Sequence, residues 1–243
     1  MPPSPRKPWH RDELMVAMHL YCLLPFGRLS QQTPEIQELA EDLGRTPSSV
    51  AMKLCNFASL DPAIRASGRR GLEGASRLDR EIWDTFHGDW SGAVEESAGR
   101  LEQLAALPIR TTVTRTVLAR RGQEFFREAV LGSYGGACAI TGLDHPALLR
   151  ASHILPWSTH EARRLDPSNG LCLNALHDAA FDRFLVTFDE SLRLVLGKEL
   201  KDRLTRAEWR DHFLPYEGKP LRLPERFAPD EVALAWHRER LAA

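Results

Sequence analysis

The first sixty residues carry apolar positions at helical rather than strand spacing. Leu14, Met18 and Tyr21 fall on one side of a helix within residues 9–27, which Pro25 and Gly27 stop. A second start signal follows, with Thr33 at an N-cap position, Pro34 first in the helix and Glu35 near its positive end. Ile36, Leu39, Ala40 and Leu43 make its apolar stripe, and Gly44 ends it. Thr46-Pro47 repeats the start signal, and Val50, Leu54 and Phe57 form the stripe of a third helix.

Two short helices joined by about three residues with a glycine match the helix-turn-helix pattern. In such a unit the second helix enters the DNA major groove by its N-terminal residues. Ser48, Ser49, Lys53 and Asn56 would then be the polar, DNA-facing side of that helix. The alternative is a plain helical hairpin packed on the first helix.

Farther along, Ser67-Gly68-Arg69-Arg70-Gly71 reads as an exposed loop. Residues 81–86 predict a short helix with Trp83 and Phe86 turned inward. Residues 91–99 are small and polar, which puts a domain boundary near 92, and a helix over 93–106 closes at Pro108. The division expected is a helical DNA-recognition domain at 1–92, a basic connecting segment at 93–120 and a second domain at 121–243. Between 110 and 127 five arginines (Arg110, Arg115, Arg120, Arg121, Arg127) face one acid, Glu124. Arg115, Arg120 and Arg121 are candidates to lie along a phosphate backbone, and a solvated charged face is the alternative. Residues 123–131 read as a helix ending at Gly132.

Composition narrows the class. Hydrophobic residues make up 43% and charged residues 27% of 243, ordinary values for a soluble globular chain. A net charge of −1 argues against a uniformly basic nucleic-acid coat but leaves room for a local basic groove. No apolar run reaches the roughly 20 residues that span a bilayer. The proline-rich start with Arg6 and Lys7 lacks the apolar stretch of a secretory signal. Cys22, Cys55, Cys138 and Cys172 form no CxxC pair, which predicts free thiols, a reducing cytoplasm and no zinc ribbon.

The chemistry-bearing stretch begins at Cys138-Ala-Ile-Thr-Gly142. It continues through Leu149-Arg-Ala-Ser-His-Ile-Leu-Pro-Trp157 to Asp166-Pro-Ser-Asn-Gly-Leu-Cys-Leu-Asn-Ala-Leu-His-Asp-Ala-Ala-Phe-Asp182. Residues 149–155 predict a strand stopped by Pro156, 159–169 a polar excursion, and 170–173 a second strand. Asn174 is a good N-cap for a helix over 175–184. The order is strand, loop, strand, helix.

This stretch resembles the HNH nuclease family, a ββα-metal unit, through His153 late in the first strand, Asn169 closing the loop and His177 in the helix. Over roughly residues 120–196 the likeness is specific, and its relatives in architecture are bacterial restriction-type HNH endonucleases. The resemblance implies hydrolysis of a DNA phosphodiester, leaving 5′-phosphate and 3′-hydroxyl ends. His153 would be the general base, since an imidazole titrates near neutrality. His177 would be the metal ligand, and Asn169 would pin the loop and orient the base. The metal implied is divalent, Mg²⁺ first and Mn²⁺ as a substitute.

Two positions depart from the commonest family pattern. Ser152 stands where many members carry an Asp or His ligand before the base, and Phe181 where many carry a histidine after the helix ligand. Asp178 and Asp182 are the remaining ligand candidates, with capping or bracing of the helix end the stronger reading for Asp182. Arg150, alternating with Ser152 along the strand, is a candidate phosphate contact. His10, His19, His87, His145, His160, His212 and His237 read as surface or hydrogen-bonded core residues.

Beyond the helix, residues 185–188 and 192–196 predict a hairpin, 206–212 a short helix, and 229–241 a closing helix in which Val232, Trp236 and Arg240 share a face. The fold class expected is therefore α+β: an N-terminal helical domain with a helix-turn-helix-like pair, then a ββα-metal nuclease domain. The partner expected is double-stranded DNA, with no membrane. Double-strand cutting from one site per chain would favour a homodimer. The rival readings are a DNA-binding protein whose nuclease fold is inactive, and a nuclease for RNA or single strands.

Overall fold

Leu14, Met18 and Tyr21, read from the sequence as one apolar stripe, are all fully buried on α1 (Arg11–Leu23), which has buried residues on every side and forms the centre of the N-terminal half. A computed structural model describes residues 7–105 and 122–241. Around α1 lie α2 (Pro34–Asp42), α3 (Pro47–Leu60), α4 (Pro62–Ala66), α5 (Arg77–Gly88) and α6 (Trp90–Ala105). Thr33 precedes α2 as expected, but its hydroxyl donates to the Arg28 carbonyl at 2.6 Å instead of capping. Thr46 does cap α3, accepting from the Ser49 amide at 3.2 Å. Helix α5 is longer than expected because Ser76 and Asp79 close a capping box at its start.

The second half opens with α7 (Gln123–Ser133), followed by β1 (Leu149–His153), β2 (Gly170–Asn174) and α8 (Ala175–Phe181). Then come β3 (Val186–Phe188), β4 (Leu194–Leu196), α9 (Lys198–Arg203), α10 (Ala207–Phe213) and α11 (Glu231–Arg238). Strands β1 and β2 pair antiparallel, with Ser152 opposite Leu171 and His153 opposite Gly170. Strands β3 and β4 form a second antiparallel pair. The mixture of helices and small sheets is α+β. On α11 the core face is Ala233, Leu234 and His237, while Val232 is 78% exposed, so the stripe expected through Val232 is the outer one. Among the described residues no helix is long and apolar enough to cross a membrane.

The boundary expected near residue 92 falls inside α6, and one buried apolar cluster runs from α1 through α7 and β2 to α11. His19 of α1 lies 4.9 Å from the Phe125 ring of α7. A Cβ on Gly132 would come within 2.9 Å of the Leu23 carbonyl, so α7 passes the end of α1 where only glycine fits. Arg226, from the segment before α11, is 0% exposed. Its guanidinium donates to the Tyr21 and Cys22 carbonyls and lies 5.0 Å from the Tyr21 ring. A cation is thereby placed against the negative end of α1.

The polar side assigned to α3 needs correction. Lys53 is 8% exposed and donates to both carboxylate oxygens of Asp79 at 2.9 Å. Asn56 is 6% exposed and donates to the Leu72 carbonyl at 2.9 Å. The segment near Gly71 and helix α5 cover that side, because a buried ammonium or amide requires such partners. Ser48 stays exposed and Ser49 half-buried. Arg115, Arg120 and Arg121 lie outside the described residues. Arg127 is an internal brace, donating to the Leu149 carbonyl at 3.0 Å.

Two outcomes follow. Arg226→Ala leaves two helix-end carbonyls without a partner and a cavity behind them, and should lower stability by about 3 kcal/mol or more in urea unfolding. An unchanged midpoint would contradict that role. Burial also pushes His19 down to about 3, and His177 and His237 down to about 4. In the unfolded chain these imidazoles protonate near pH 6.5. Between 6.5 and 4 the unfolded state therefore binds more protons, and stability falls as pH drops through that window. Each histidine contributes up to about 1.4 kcal/mol per pH unit. Unfolding midpoints that stay flat from pH 7 to pH 4.5 would refute it.

Candidate functional site

Strand β1 ends at His153, and the chain then leaves the sheet through a long connection that returns at Asn169. That connection is organised by one buried amide. Asn169 Oδ1 accepts from the Leu155 amide at 2.8 Å, and its Nδ2 donates to the carbonyls of Leu155 (3.2 Å) and Arg163 (3.1 Å). Its own carbonyl accepts from the Ile154 amide at 2.9 Å. Four bonds to the backbone fold the connection back on itself and bring the Arg164 carbonyl to His153.

His153 Nε2 lies 3.0 Å from that carbonyl. A carbonyl only accepts, so the proton sits on Nε2 and Nδ1 keeps its lone pair. The ring is stacked on Phe126 of α7 at 3.8 Å and meets Trp157 edge-on at 5.5 Å. Phe126 can approach this closely because residue 170 is glycine: a Cβ there would lie 2.8 Å from Phe126 Cζ and collide with Val130. Burial pushes the imidazole below its ordinary value, and the Arg164 carbonyl and the Asp178 carboxylate partly offset that shift.

His153 lines a cavity of about 530 Å³ together with Arg150, Ser152, Trp157, Asp178 and Asp182. Asp178 and Asp182 are four residues apart and share one face of α8. Burial and the neighbouring Asp178 raise the Asp182 carboxyl above its usual value. Ser152 Oγ is buried beside them with no hydrogen-bond partner. Arg150 is exposed at the rim, its Nη1 donating to the Ala147 and Leu149 carbonyls. Among the described residues no three His, Cys, Asp or Glu side chains come together as a cation site. Two mutually repelling carboxylates and an unsatisfied hydroxyl nonetheless fit a hard dication that keeps several waters, such as Mg²⁺.

His177, the expected metal ligand, lies apart from that cavity. It is 2% exposed and borders a different cavity of about 680 Å³, lined also by Thr141, Leu148, Leu176, His212 and Tyr216. Its Nδ1 lies 3.0 Å from Asn174 Oδ1, which also accepts from the Leu176 and His177 amides. Its ring packs on Phe213 and Tyr216 at 5.2 and 5.8 Å. Successive helical residues point about 100° apart, so the residue of α8 that faces His153 is Asp178. The contacts that sequence reasoning missed are Phe126, Trp157 and the Arg164 carbonyl. Helix phase, counted from the Asn174 cap, was the available signal for Asp178.

Residues 138–189 match the family model described as HNH endonuclease, so this segment is an HNH endonuclease domain. Among solved structures, a modification dependent TagI restriction endonuclease is similar over 51% of this chain, at 21% identity and a TM-score of 0.37. The similar region spans 39% of that protein. No curated protein matches.

Asn169→Asp should unfold the connection locally. The carboxylate keeps the acceptor for Leu155 but turns a charge toward two carbonyls, at a cost of about 2–4 kcal/mol. Limited proteolysis should cut within residues 156–165 in the variant and not in the wild type. Equal resistance would remove Asn169 as the organiser.

Proposed function

We propose that the chain is a metal-dependent DNA endonuclease in which the HNH endonuclease domain hydrolyses phosphodiester bonds with His153 as general base. One observation carries the reading: a histidine with its Nε2 committed to a carbonyl and its Nδ1 free shares a cavity with two carboxylates on one helix face. Burial keeps the imidazole neutral at pH 7. Nδ1 takes a proton from water as the water oxygen bonds to phosphorus, and the bond from phosphorus to the 3′ oxygen breaks. The departing 3′ oxygen takes a proton from solvent water, so the products are a 5′-phosphate and a 3′-hydroxyl.

Asp178 and Asp182 are the residues that would hold the divalent cation, with Ser152 beside them. When bound, Mg²⁺ or Mn²⁺ supplies positive charge to the phosphate and the departing oxygen. Arg150 at the rim binds an adjacent phosphate of the duplex. Ser48 and Ser49, at the start of α3, are the part of the helical pair left free to meet double-stranded DNA. The biological setting we favour is restriction, with dimerisation allowing both strands to be cut.

Plasmid cleavage in Mg²⁺ or Mn²⁺ tests the assignment. His153→Ala and Asp178→Ala should each lose about 10²-fold or more, while His177→Gln, once shown to be folded, should cut within a few-fold of wild type. Full loss in His177→Gln with retention in Asp178→Ala would reverse the assignment of the helix residue. Parallel digestion of duplex DNA, single-stranded DNA and RNA identifies the substrate, and methylated against unmethylated genomic DNA reveals any need for base modification. DNA binding without cleavage under all these conditions would leave only the inactive-nuclease reading.

A further inference from the structure

Asp178 and Asp182 flank the last turn of α8, and one residue that holds the end of that turn comes from outside residues 138–189. His237 of α11 is 1% exposed. Its ring lies face to face with Phe181, with centroids 3.7 Å apart and planes 4° apart. Nε2 is 3.0 Å from the Phe181 carbonyl, and Nδ1 is 2.9 Å from the Thr187 hydroxyl. The carbonyl can only accept, so Nε2 carries the proton and Nδ1 accepts from Thr187. The same Phe181 carbonyl accepts from the Phe184 amide at 2.9 Å, where Phe184 turns the chain at φ 55°. That left-handed turn is unfavourable for a phenylalanine and needs surrounding support.

Helix α11 also reaches the β1–β2 connection. Trp236 meets His160 of the β1–β2 connection edge-on at 5.3 Å. Asp230, which caps α11, pairs with Arg163 at 3.0 Å, and its amide donates to the Ser168 carbonyl at 2.9 Å. One C-terminal helix therefore grips both the end of α8 and the connection that delivers the Arg164 carbonyl to His153. His237 itself lines the His153 cavity.

We propose that His237 is a positioning residue that sets the Asp178–Asp182 pair at the spacing a divalent cation requires. This rests on the metal-dependent reading above. His237 touches no reacting group; it acts through the Phe181 carbonyl and the turn that follows. Residues that orient a ligand by hydrogen bonding typically change metal affinity by about 10–100-fold when replaced. A brace with only a structural role would lower stability and leave the affinity of the folded protein unchanged.

The experiment measures Mn²⁺ binding to the full chain, with free Mn²⁺ counted by electron paramagnetic resonance and without DNA. His237→Phe keeps the stacked ring and removes both hydrogen bonds. His237→Gln restores a donor, and Thr187→Val releases only Nδ1. Asp178→Asn is the control for the site itself. His237→Phe should bind about 10–100-fold more weakly at a temperature where its near-ultraviolet circular dichroism is native, with His237→Gln recovering part of the loss. Wild-type affinity in His237→Phe, with weakening in Asp178→Asn, overturns the inference and leaves the metal reading standing. Should His237→Phe not fold, unchanged affinity in both Thr187→Val and His237→Gln overturns it equally. Absence of Mn²⁺ binding by the wild type overturns the metal reading and this inference together.

Discussion

A histidine ring presents one nitrogen in a fixed direction when something holds the other, and for His153 the Arg164 carbonyl does the holding. That bond exists because Asn169 folds the β1–β2 connection back over the end of β1. The ring is fixed a second time by Phe126, whose approach depends on the missing side chain at Gly170. Tautomer, orientation and partial burial of His153 are thus set by four residues, of which Arg164 and Asn169 lie in the connection that follows its strand and Phe126 and Gly170 lie outside it. Loss of any one of them leaves an imidazole present but free to rotate, which is a failure of geometry rather than of chemical identity.

The N-terminal helices bear on this site through packing. Phe126 sits on α7, α7 crosses the end of α1 at Gly132, and Arg226 binds the carbonyls that end α1 before the chain continues into α11. Among the described residues, one buried apolar cluster joins α1 to Phe126, the ring on which His153 stacks. Helical and nuclease segments that read as separate units in sequence share one core. A core change under α1 would therefore be felt at the His153 ring, since close-packed interiors transmit displacement.

Much of the architecture was legible. The strand–connection–strand–helix order, the Asn174 cap and the hairpin after α8 follow from turn residues and periodicity that tertiary packing does not overrule. The full length of α5 was signalled by Ser76-Arg77-Leu78-Asp79, a capping-box spacing. What the local pattern does not supply is the partner that arrives from elsewhere in the chain to cover a face. Lys53 and Asn56 look like a free polar side until Asp79 and Leu72 arrive from later in the chain. His177 and Asp178 are neighbours in sequence yet border separate cavities, because successive helical residues point about 100° apart. His237 reads as an ordinary core histidine because its partners, Phe181 and Thr187, lie about fifty residues away.

The acidic pair on α8 is an arrangement that folding alone would not favour. Two carboxylates four residues apart repel each other, and Asp182 sits at the C-cap, where the helix dipole is already negative. Burial first, and the Asp178 charge after it, raise the Asp182 carboxyl above its usual value. Arg183, just beyond the helix, offsets part of that shift while its Nη1 donates to the Ala179 carbonyl. A chain optimised only for stability would place a lysine or an asparagine at one of these positions. Local arrangements that cost stability without a structural return concentrate where a ligand repays them. Here the unfavourable pair, the unpartnered Ser152 hydroxyl and the held imidazole all border one cavity, and a bound cation would relieve the first two while the phosphate it attracts engages the third.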